Sequence, residues 1–270
     1  MSAPFTVLGG SGHIGSRLCR WLSAHSVPFS APGRDEPLPR ESLGHVIYAI
    51  GLTADYRERP LDAVTAHVSR LVCLLETARF ESLLYLSSTR VYQYSPRTEE
   101  EVPLEVNPTR LQDLYNISKI MGESACLASG RPGTRVVRLA NVYGPEDPSG
   151  NFLPSIIHDA LRRGRVVFNT GLGSEKDYVS IDEIIPLLIA IAREGRERAY
   201  NVASGHNTSH RQIVRIVQEE TGCRVEVQPG SPDVAFPRIA IERIRGEFGF
   251  APSRLSDNLP GLIQAMRGKA

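Results

Sequence analysis

The feature that most restricts the fold is a glycine-rich turn between a short apolar segment and an amphipathic one. Phe5 to Leu8 is apolar enough for a buried strand, the turn reads GGSGHIG from Gly9 to Gly15, and residues 17–24 follow with helical periodicity. A dinucleotide-binding βαβ unit requires this order of strand, glycine turn and helix. A flexible loop has a similar composition, but the position directly after the first strand favours the dinucleotide interpretation.

The three spaced glycines have distinct expected roles. Gly9 permits the tight turn, Gly12 lets the backbone approach a pyrophosphate, and Gly15 lets the helix pack closely on the strand. The first N–H groups of the helix then hold the phosphates. We therefore predict that Gly9, Gly12, His13, Ile14 and Gly15 bind the cofactor.

The charges after the second predicted strand, Pro28 to Ala31, concern the choice of cofactor. At this position an acid suits the free 2′-hydroxyl of the adenosine ribose, and an arginine suits a 2′-phosphate. Arg34 therefore favours NADP(H), whereas Asp35 favours NAD(H), and a solvated loop charge is the alternative role for Arg34. We predict that NADP(H) is preferred, with NAD(H) as the alternative.

Two more apolar segments end in residues suited to ligand contact. His45 to Ile50 is a third predicted strand followed by Gly51, and Leu83 to Leu86 is a fourth followed by hydroxyl residues. Ligands bind at the carboxyl ends of parallel strands. Ile50 and Gly51 are thus predicted to contact the cofactor, and Ser88 and Thr89 the substrate. Hydroxyl side chains also cap helices, which is their alternative role.

Tyr115 and Lys119 form the candidate acid/base pair. On a helix, residues four apart share a face. A fixed ammonium beside the phenol favours the phenolate, so a tyrosine that normally titrates near pH ~10 can exchange a proton near neutrality. Tyr and Lys at this spacing also occur on solvated helix faces. The acid/base interpretation of this pair is supported by the glycine turn and the serine-rich strand end that precede it in the chain.

The bulk composition excludes several other classes of protein. Hydrophobic residues make up 41% and charged residues 23%, with a net charge of +1, so neither a nucleic-acid nor a membrane partner is expected. No stretch approaches the ~20 apolar residues of a membrane span. The four cysteines form no CxxC pair, and the histidines show no metal-ligand spacing. We predict a cytoplasmic protein without a metal site.

The pattern of segments changes after about residue 145. We expect an α/β fold: a Rossmann-type doubly wound parallel sheet with a smaller C-terminal α/β substrate lobe. Residues 1–145 would form the dinucleotide-binding domain, with some later segments returning to it, and residues 146–270 mainly the substrate lobe. A small molecule would lie in the cleft between them.

With these segments in place, the chain resembles the extended short-chain dehydrogenase/reductases, a family of nucleotide-sugar epimerases, dehydratases and ketoreductases. The resemblance covers nearly the whole length. It rests on the glycine turn, LSSTRVY at 86–92, Tyr115-x-x-x-Lys119, RLANVYGP at 138–145, NFLP at 151–154, KDYVSIDE at 176–183 and YNVASG at 200–205.

The resemblance implies a role for each of five residues. Ser88 would hydrogen-bond the substrate oxygen, and Tyr115 would be the general acid/base. Lys119 would hold the nicotinamide ribose and lower the pKa of the tyrosine. Asn141 and Lys176 would lie near the bound nucleotide diphosphate.

Two departures from the family pattern narrow the expected reaction. Dehydratases of the family carry Asp and Glu directly after the active hydroxyl, where this chain has Thr89 and Arg90, so 4,6-dehydration is not expected. Lys176 replaces the usual arginine, which keeps the charge but loses the bidentate grip on a phosphate.

The expected function is therefore NADPH-dependent reduction of a keto group on a nucleotide-linked sugar. A nucleotide-sugar 4-epimerase with bound NAD is the alternative. A non-catalytic dinucleotide-binding sensor is less favoured, because Ser88, Tyr115 and Lys119 are all retained. Similar proteins often dimerise through the helices at about 62–79 and 113–129, so a homodimer is expected.

Overall fold

A computed structural model describes residues 3–34, 36, 38, 42–52, 58–147 and 150–268. Asp35 therefore lies outside the described residues. The strands are β1 Phe5–Leu8, β2 Phe29–Ser30, β3 His45–Tyr48, β4 Ser82–Ser88, β5 Thr134–Leu139, β6 Asn141–Tyr143, β7 Arg165–Phe168, β8 Glu175–Ser180, β9 Ala199–Val202, β10 Asn207–Ser209 and β11 Arg224–Val227. The α-helices are α1 His13–Ala24, α2 Pro60–Val64, α3 Arg70–Thr77, α4 Leu114–Ala128, α5 Phe152–Arg163, α6 Ile181–Glu194, α7 His210–Thr221, α8 Glu242–Phe248 and α9 Leu255–Arg267.

The main sheet has the strand order β2-β1-β3-β4-β5-β9, and each neighbouring pair is parallel. From β1 the chain first moves to one side, to β2, and then crosses to the other side, to β3. The strand order therefore reverses between β1 and β3, and dinucleotides bind at such a reversal in doubly wound sheets. The predicted fold class is confirmed.

Helices cover both faces of this sheet because successive strand residues point to opposite sides. Ile47 packs with Leu18 of α1 and with the apolar face of α6, whereas Val46 and Tyr48 pack with Leu71 of α3. Both faces of the strands are thus buried, which explains the apolar runs Val46–Tyr48 of β3 and Leu83–Leu86 of β4.

Smaller sheets lie beyond the main one. β8 pairs in parallel with β6 and antiparallel with β10, while β7 pairs in parallel with β11. Helices α5, α7 and α9 share an apolar core with this region. β9 and α6, although late in the chain, belong to the main sheet and its covering layer. The division at residue 145 stays a prediction.

Several element boundaries differ from the sequence-based expectation. The predicted third strand, His45 to Ile50, ends at Tyr48. The predicted second strand, 28–31, is reduced to Phe29–Ser30 at the edge of the sheet, where β1 is its neighbour. The predicted helix at 62–79 is interrupted by a π-helical turn at Thr65–Ser69 between α2 and α3. Within the described ranges, no helix has the length and apolar character needed to cross a membrane.

Candidate active site

The glycine turn is packed against the end of the third strand. Gly9 has a φ of +89°, and a Cβ added to it would lie 2.9 Å from the backbone of Ala49 and Ile50. A Cβ at Gly15 would overlap the carbonyl oxygen of Gly9. Glycine is therefore required at both positions, at the first by conformation and contact and at the second by close helix–turn packing.

The N-terminus of α1 has the properties of a phosphate site. Gly12 is its N-cap and supplies no side-chain hydrogen bond, so first-turn N–H groups lack a cap. Among the described residues, the heavy atom within 4 Å of a Cβ at Gly12, outside its chain neighbours, is the Gly9 oxygen at 3.4 Å. His13 Nε2 is buried and makes no hydrogen bond within the described part of the chain. These features fit an anionic group of a dinucleotide.

His13 and Ile14, both predicted to contact the cofactor, are half-buried in the first turn of α1. His13 Nδ1 lies 3.8 Å from a carboxylate oxygen of Asp147. Burial lowers the pKa of His13, with Asp147 opposing that effect, so the imidazole is neutral at pH 7.

The turn after β2 carries charges of both signs. Arg34 is exposed. The Glu36 carboxylate accepts a hydrogen bond of 2.5 Å from the Gly33 N–H. Glu36, which was not among the predicted cofactor residues, thus brings a negative charge to the same turn as Arg34.

Gly51 connects the glycine turn to the acid/base helix. It follows Ile50, whose backbone abuts Gly9, and a Cβ at Gly51 would lie 3.5 Å from Lys119 Nζ and 3.3 Å from His67 Nε2. The carboxyl ends of β1 and β3 and helix α4 therefore meet at one place. The structure thus brings the cofactor and acid/base predictions together around Ile50 and Gly51.

Lys119 is buried beside the sheet. Its side chain is buried, and Nζ donates a 2.8 Å hydrogen bond to the Leu86 carbonyl and lies 5.2 Å from the centre of the Tyr85 ring. Burial lowers the pKa of Lys119 to about 7, and the Glu123 carboxylate opposes that effect. The spacing alone predicted a fixed ammonium at Lys119, whereas burial makes this ammonium titratable near neutral pH.

Tyr115 lies on the same helix face one turn earlier. Its side chain is 7% exposed, and its ring meets the edge of the His67 ring at a centroid distance of 5.3 Å. The Arg90 guanidinium lies 5.3 Å from the Tyr115 ring centre. A desolvated phenol beside cations is suited to donating or accepting a proton.

Two of the predicted substrate-binding residues, Ser88 and Thr89, lie at the end of β4. Ser88 is half-buried and caps the 3₁₀ turn Thr89–Tyr92, since its Oγ accepts a 3.2 Å hydrogen bond from the Arg90 N–H. The capping role weighed in the sequence analysis is therefore present, yet the Ser88 hydroxyl keeps a hydrogen to donate. Thr89 is 8% exposed.

Asn141 and Lys176 lie on neighbouring strands of the smaller sheet, β6 and β8. Asn141 Nδ2 donates a 2.7 Å hydrogen bond to the Asp177 carbonyl, and the Lys176 ammonium lies 5.7 Å from the Phe236 ring centre. Their predicted contact with a nucleotide diphosphate stays a prediction.

A buried ion pair between Glu123 and Arg138 lies next to the candidate site. Glu123, one turn after Lys119, accepts from Arg138 at 2.7 Å and from the Ser87 hydroxyl. Arg138 also donates to the Tyr92 hydroxyl at 2.5 Å. These bonds join α4 to the ends of β4 and β5, which fixes the helix relative to Ser88.

Sequence reasoning missed two residues of this site, Glu123 and His67. The spacing of Glu123 four residues after Lys119 was visible, whereas His67 carried no local signal. Among the residues with described positions, no three His, Cys, Asp or Glu side chains are grouped so as to hold a metal ion.

Most of the candidate site lies in the part of the chain that a known family model matches. The sequence model of the NAD dependent epimerase/dehydratase family matches residues 5–203, which include the glycine turn, Ser88, Tyr115 and Lys119. The chain belongs to this family. The resemblance inferred from the motifs is thereby confirmed.

Individual relatives of this family member are distant. A dTDP-glucose 4,6-dehydratase of Streptomyces griseus is 28% identical over 199 residues, which cover 67% of this chain and 57% of that protein. A UDP-glucose 4-epimerase of Azospirillum brasilense is 24% identical, covering 96% of this chain and 89% of that protein. The chain therefore spans just over half the length of the first relative and most of the second.

Solved structures share the fold over nearly the full length. TunA, described as an NAD-dependent NDP-hexosamine 5,6-dehydratase, superposes with a TM-score of 0.85 at 19% identity, covering 99% of this chain and 98% of that one. RMD from Pseudomonas aeruginosa, solved with NADPH, gives a TM-score of 0.81 at 18% identity, covering 99% and 100%. At these identities the likeness establishes the fold.

Proposed function

We propose that this protein is an NADPH-dependent oxidoreductase that reduces a keto group on a nucleotide-linked sugar. The observation that carries the proposal is the contact of Lys119 with Gly51, which follows β3, with Tyr115 one turn earlier on the same helix. This contact lies beside the turn that leads to the uncapped N-terminus of α1. A nicotinamide dinucleotide, when bound, supplies the hydride for such a reduction.

The residues of the chain supply the proton and hold the reacting oxygen. Ser88 and Tyr115 donate hydrogen bonds to the carbonyl oxygen, and they stabilise the negative charge that develops there. Tyr115 then transfers its proton to that oxygen. The Lys119 ammonium stabilises the phenolate that remains, and its own pKa near 7 lets it pass a proton onward at neutral pH.

The choice of substrate and reaction class draws on relatives and on local chemistry. The Streptomyces griseus and Azospirillum brasilense relatives are named for nucleotide-sugar substrates. Thr89 and Arg90 replace the carboxylate pair that a 4,6-dehydratase needs, and Arg90 lies against the Tyr115 ring. Loss of water by proton abstraction is therefore disfavoured at this site.

The preference for NADPH rests on Arg34, since a guanidinium suits a 2′-phosphate. Glu36 at the same turn works against it. The second candidate function is consequently a 4-epimerase with tightly held NAD, which would use the same Ser88, Tyr115 and Lys119.

The test is NADPH oxidation with nucleotide-linked keto-sugars by the wild type and by Tyr115→Phe. Loss of a general acid typically lowers the rate by about 10² to 10⁴. We expect a fall in kcat of that size with intact dinucleotide binding. Unchanged turnover in Tyr115→Phe would remove the tyrosine from the mechanism.

The nucleotide retained on purification separates the two candidates. An epimerase would retain stoichiometric NAD and interconvert nucleotide sugars without net consumption of NADPH. Mass spectrometry of the released nucleotide, together with a steady-state NADPH assay, distinguishes the two. Retained NAD with no NADPH consumption on any keto-sugar would contradict the reductase.

A homodimer in the cytoplasm completes the proposal. Two large apolar side chains on the helices expected to pair are exposed, Leu61 on α2 at 75% and Met121 on α4 at 52%. Burying them against a second copy would remove apolar surface from water. Light scattering of the wild type and of Met121→Glu tests this, and a monomeric wild type would contradict it.

A further inference from the structure

A buried histidine lies directly beneath the candidate active site, on the π-helical turn Thr65–Ser69. The wider turn is marked by a hydrogen bond from the Arg70 N–H to the Thr65 carbonyl five residues back. Turns of this kind interrupt α-helices frequently at functional sites. The interruption places the side chain of His67 against α4, where it is fully buried.

Two tyrosines of the main sheet hold this turn in place. The Tyr48 hydroxyl of β3 donates to the Ala66 carbonyl at 2.6 Å, and the Tyr85 hydroxyl of β4 donates to the His67 carbonyl at 3.3 Å. Gly122 of α4 makes the close approach possible, since a Cβ there would lie 2.7 Å from the His67 carbonyl oxygen. The turn is therefore fixed both to the sheet and to the acid/base helix.

The imidazole joins two segments of the site through opposite ring nitrogens. Nε2 lies 3.4 Å from the Leu52 N–H, which can only donate, so Nε2 is the acceptor. Nδ1 then carries the hydrogen and donates to Ser118 Oγ at 2.9 Å. Ser118 Oγ in turn donates to the Tyr115 carbonyl at 2.9 Å. One chain of hydrogen bonds thus runs from the loop after β3 to the residue that bears the phenol.

The charges around the ring keep it neutral. Burial lowers the pKa of His67 to about 2, and the Lys119 ammonium adds to the effect. The charged and titratable groups at the ring are Lys119 and Tyr115, both from α4. A neutral imidazole beside Lys119 leaves the proton chemistry to Tyr115 and Lys119 themselves.

We propose that His67 is a positioning residue that fixes the Gly51–Leu52 loop to the helix carrying Tyr115 and Lys119. It would thereby set the distance between the bound dinucleotide and the acid/base pair. The inference rests on the function proposed above and adds to it a residue that touches neither substrate nor cofactor. Small displacements of this kind are costly, because rates fall steeply when reacting groups are misplaced.

The test compares His67→Leu with His67→Asn, whose amide offers both a donor and an acceptor. We expect His67→Leu to weaken NADPH binding, measured by fluorescence titration, about tenfold and to lower kcat by about 10- to 100-fold. His67→Asn should recover most of both losses. His25→Leu makes the same chemical change at an exposed position beside Trp21 and should leave both values unchanged.

Ser118→Ala probes the same chain of hydrogen bonds without altering the imidazole. Ser118→Ala should also lower kcat. The double variant His67→Leu/Ser118→Ala should have the same kcat as His67→Leu alone, because the two residues act as a unit. Additive losses would overturn the proposed chain. If His67→Leu does not fold, Ser118→Ala and His67→Asn decide the matter, and wild-type kcat in Ser118→Ala would overturn the proposal.

Two further results separate this inference from the proposed function. A folded His67→Leu with wild-type NADPH affinity and kcat, or one that loses only thermal stability, would overturn the positioning role. A wild type that binds NADPH but turns over no nucleotide sugar would defeat the proposed function alone. In that case the titration of His67→Leu still decides whether His67 positions the dinucleotide loop.

Discussion

Replacing Lys119 with a neutral side chain is expected to stabilise the protein while removing its activity. The pKa of Lys119 falls from the ordinary value of 10.5 to about 7 because the side chain is buried. At about 1.36 kcal/mol for each unit, keeping the ammonium buried costs about 4 to 5 kcal/mol below pH 7. Lys119→Met removes that cost but leaves the Leu86 carbonyl without its donor, a loss of about 1 to 3 kcal/mol. The net gain expected at pH 6.5 is about 2 kcal/mol.

The stability difference between Lys119→Met and the wild type depends on pH. The pKa in the folded state is depressed, so between pH 7 and 10.5 the unfolded chain binds more protons than the folded one. The free energy of unfolding of the wild type therefore rises with pH across that window. The advantage of Lys119→Met should shrink over the same range, and at its upper end only the lost hydrogen bond should remain.

Urea unfolding of wild type, Lys119→Met and Lys119→Gln at pH 6.5, 8.5 and 10 measures the difference. The glutamine variant is also neutral but keeps a donor, so it should share the pH dependence and be the more stable of the two. NADPH oxidation by both variants should fall by about 10² or more, since the ammonium beside Tyr115 is lost. A variant less stable than the wild type at pH 6.5, or a difference that does not change with pH, would refute the reasoning.

Three further predictions follow from the packing and charges of the site. Gly15→Ala should weaken NADPH binding more than tenfold in a fluorescence titration, because its Cβ would overlap the Gly9 carbonyl. The control is Gly261→Ala on α9, where a Cβ meets open space, and this change should raise the free energy of unfolding by about 0.5 to 1 kcal/mol. Arg138→Met should lower the free energy of unfolding in urea by about 3 to 5 kcal/mol, because it leaves the Glu123 carboxylate buried and unpaired, and adding Glu123→Gln should restore part of the loss. Arg34→Ala should raise the KM for NADPH far more than that for NADH, and equal changes would contradict a role in binding a 2′-phosphate.

The fold and the main parts of the site could be predicted because their signals are local. A strand, a glycine turn and a helix are contiguous between Phe5 and Ala24, and Tyr115 and Lys119 share a helix face by spacing alone. The prediction of a full-length second strand was less accurate. Its conformation depends on pairing with β1, where Phe29 and Ser30 are in register with Phe5 and Thr6 and the Pro28 carbonyl accepts from the Phe5 N–H.

Lys119 shows, for a single side chain, which property the sequence predicts and which it does not. The sequence places an amine four residues after a phenol, but it does not say how much water the amine retains. The titration of Lys119 near pH 7 follows from its enclosure by Leu86, Tyr85 and Gly51, which come from other parts of the chain.

The order of elements, the glycines of the turn and the spacing of the candidate acid/base residues were determined by the sequence itself, since each depends on residues within one or two helical turns. The π turn at Thr65–Ser69, the position of His67 against α4 and the burial of Lys119 were decided only by the tertiary structure. His67 and Ser118 are 51 positions apart and meet through side chains. Hydrogen bonds and desolvation depend on which atoms lie nearby in space, and long-range packing sets that proximity.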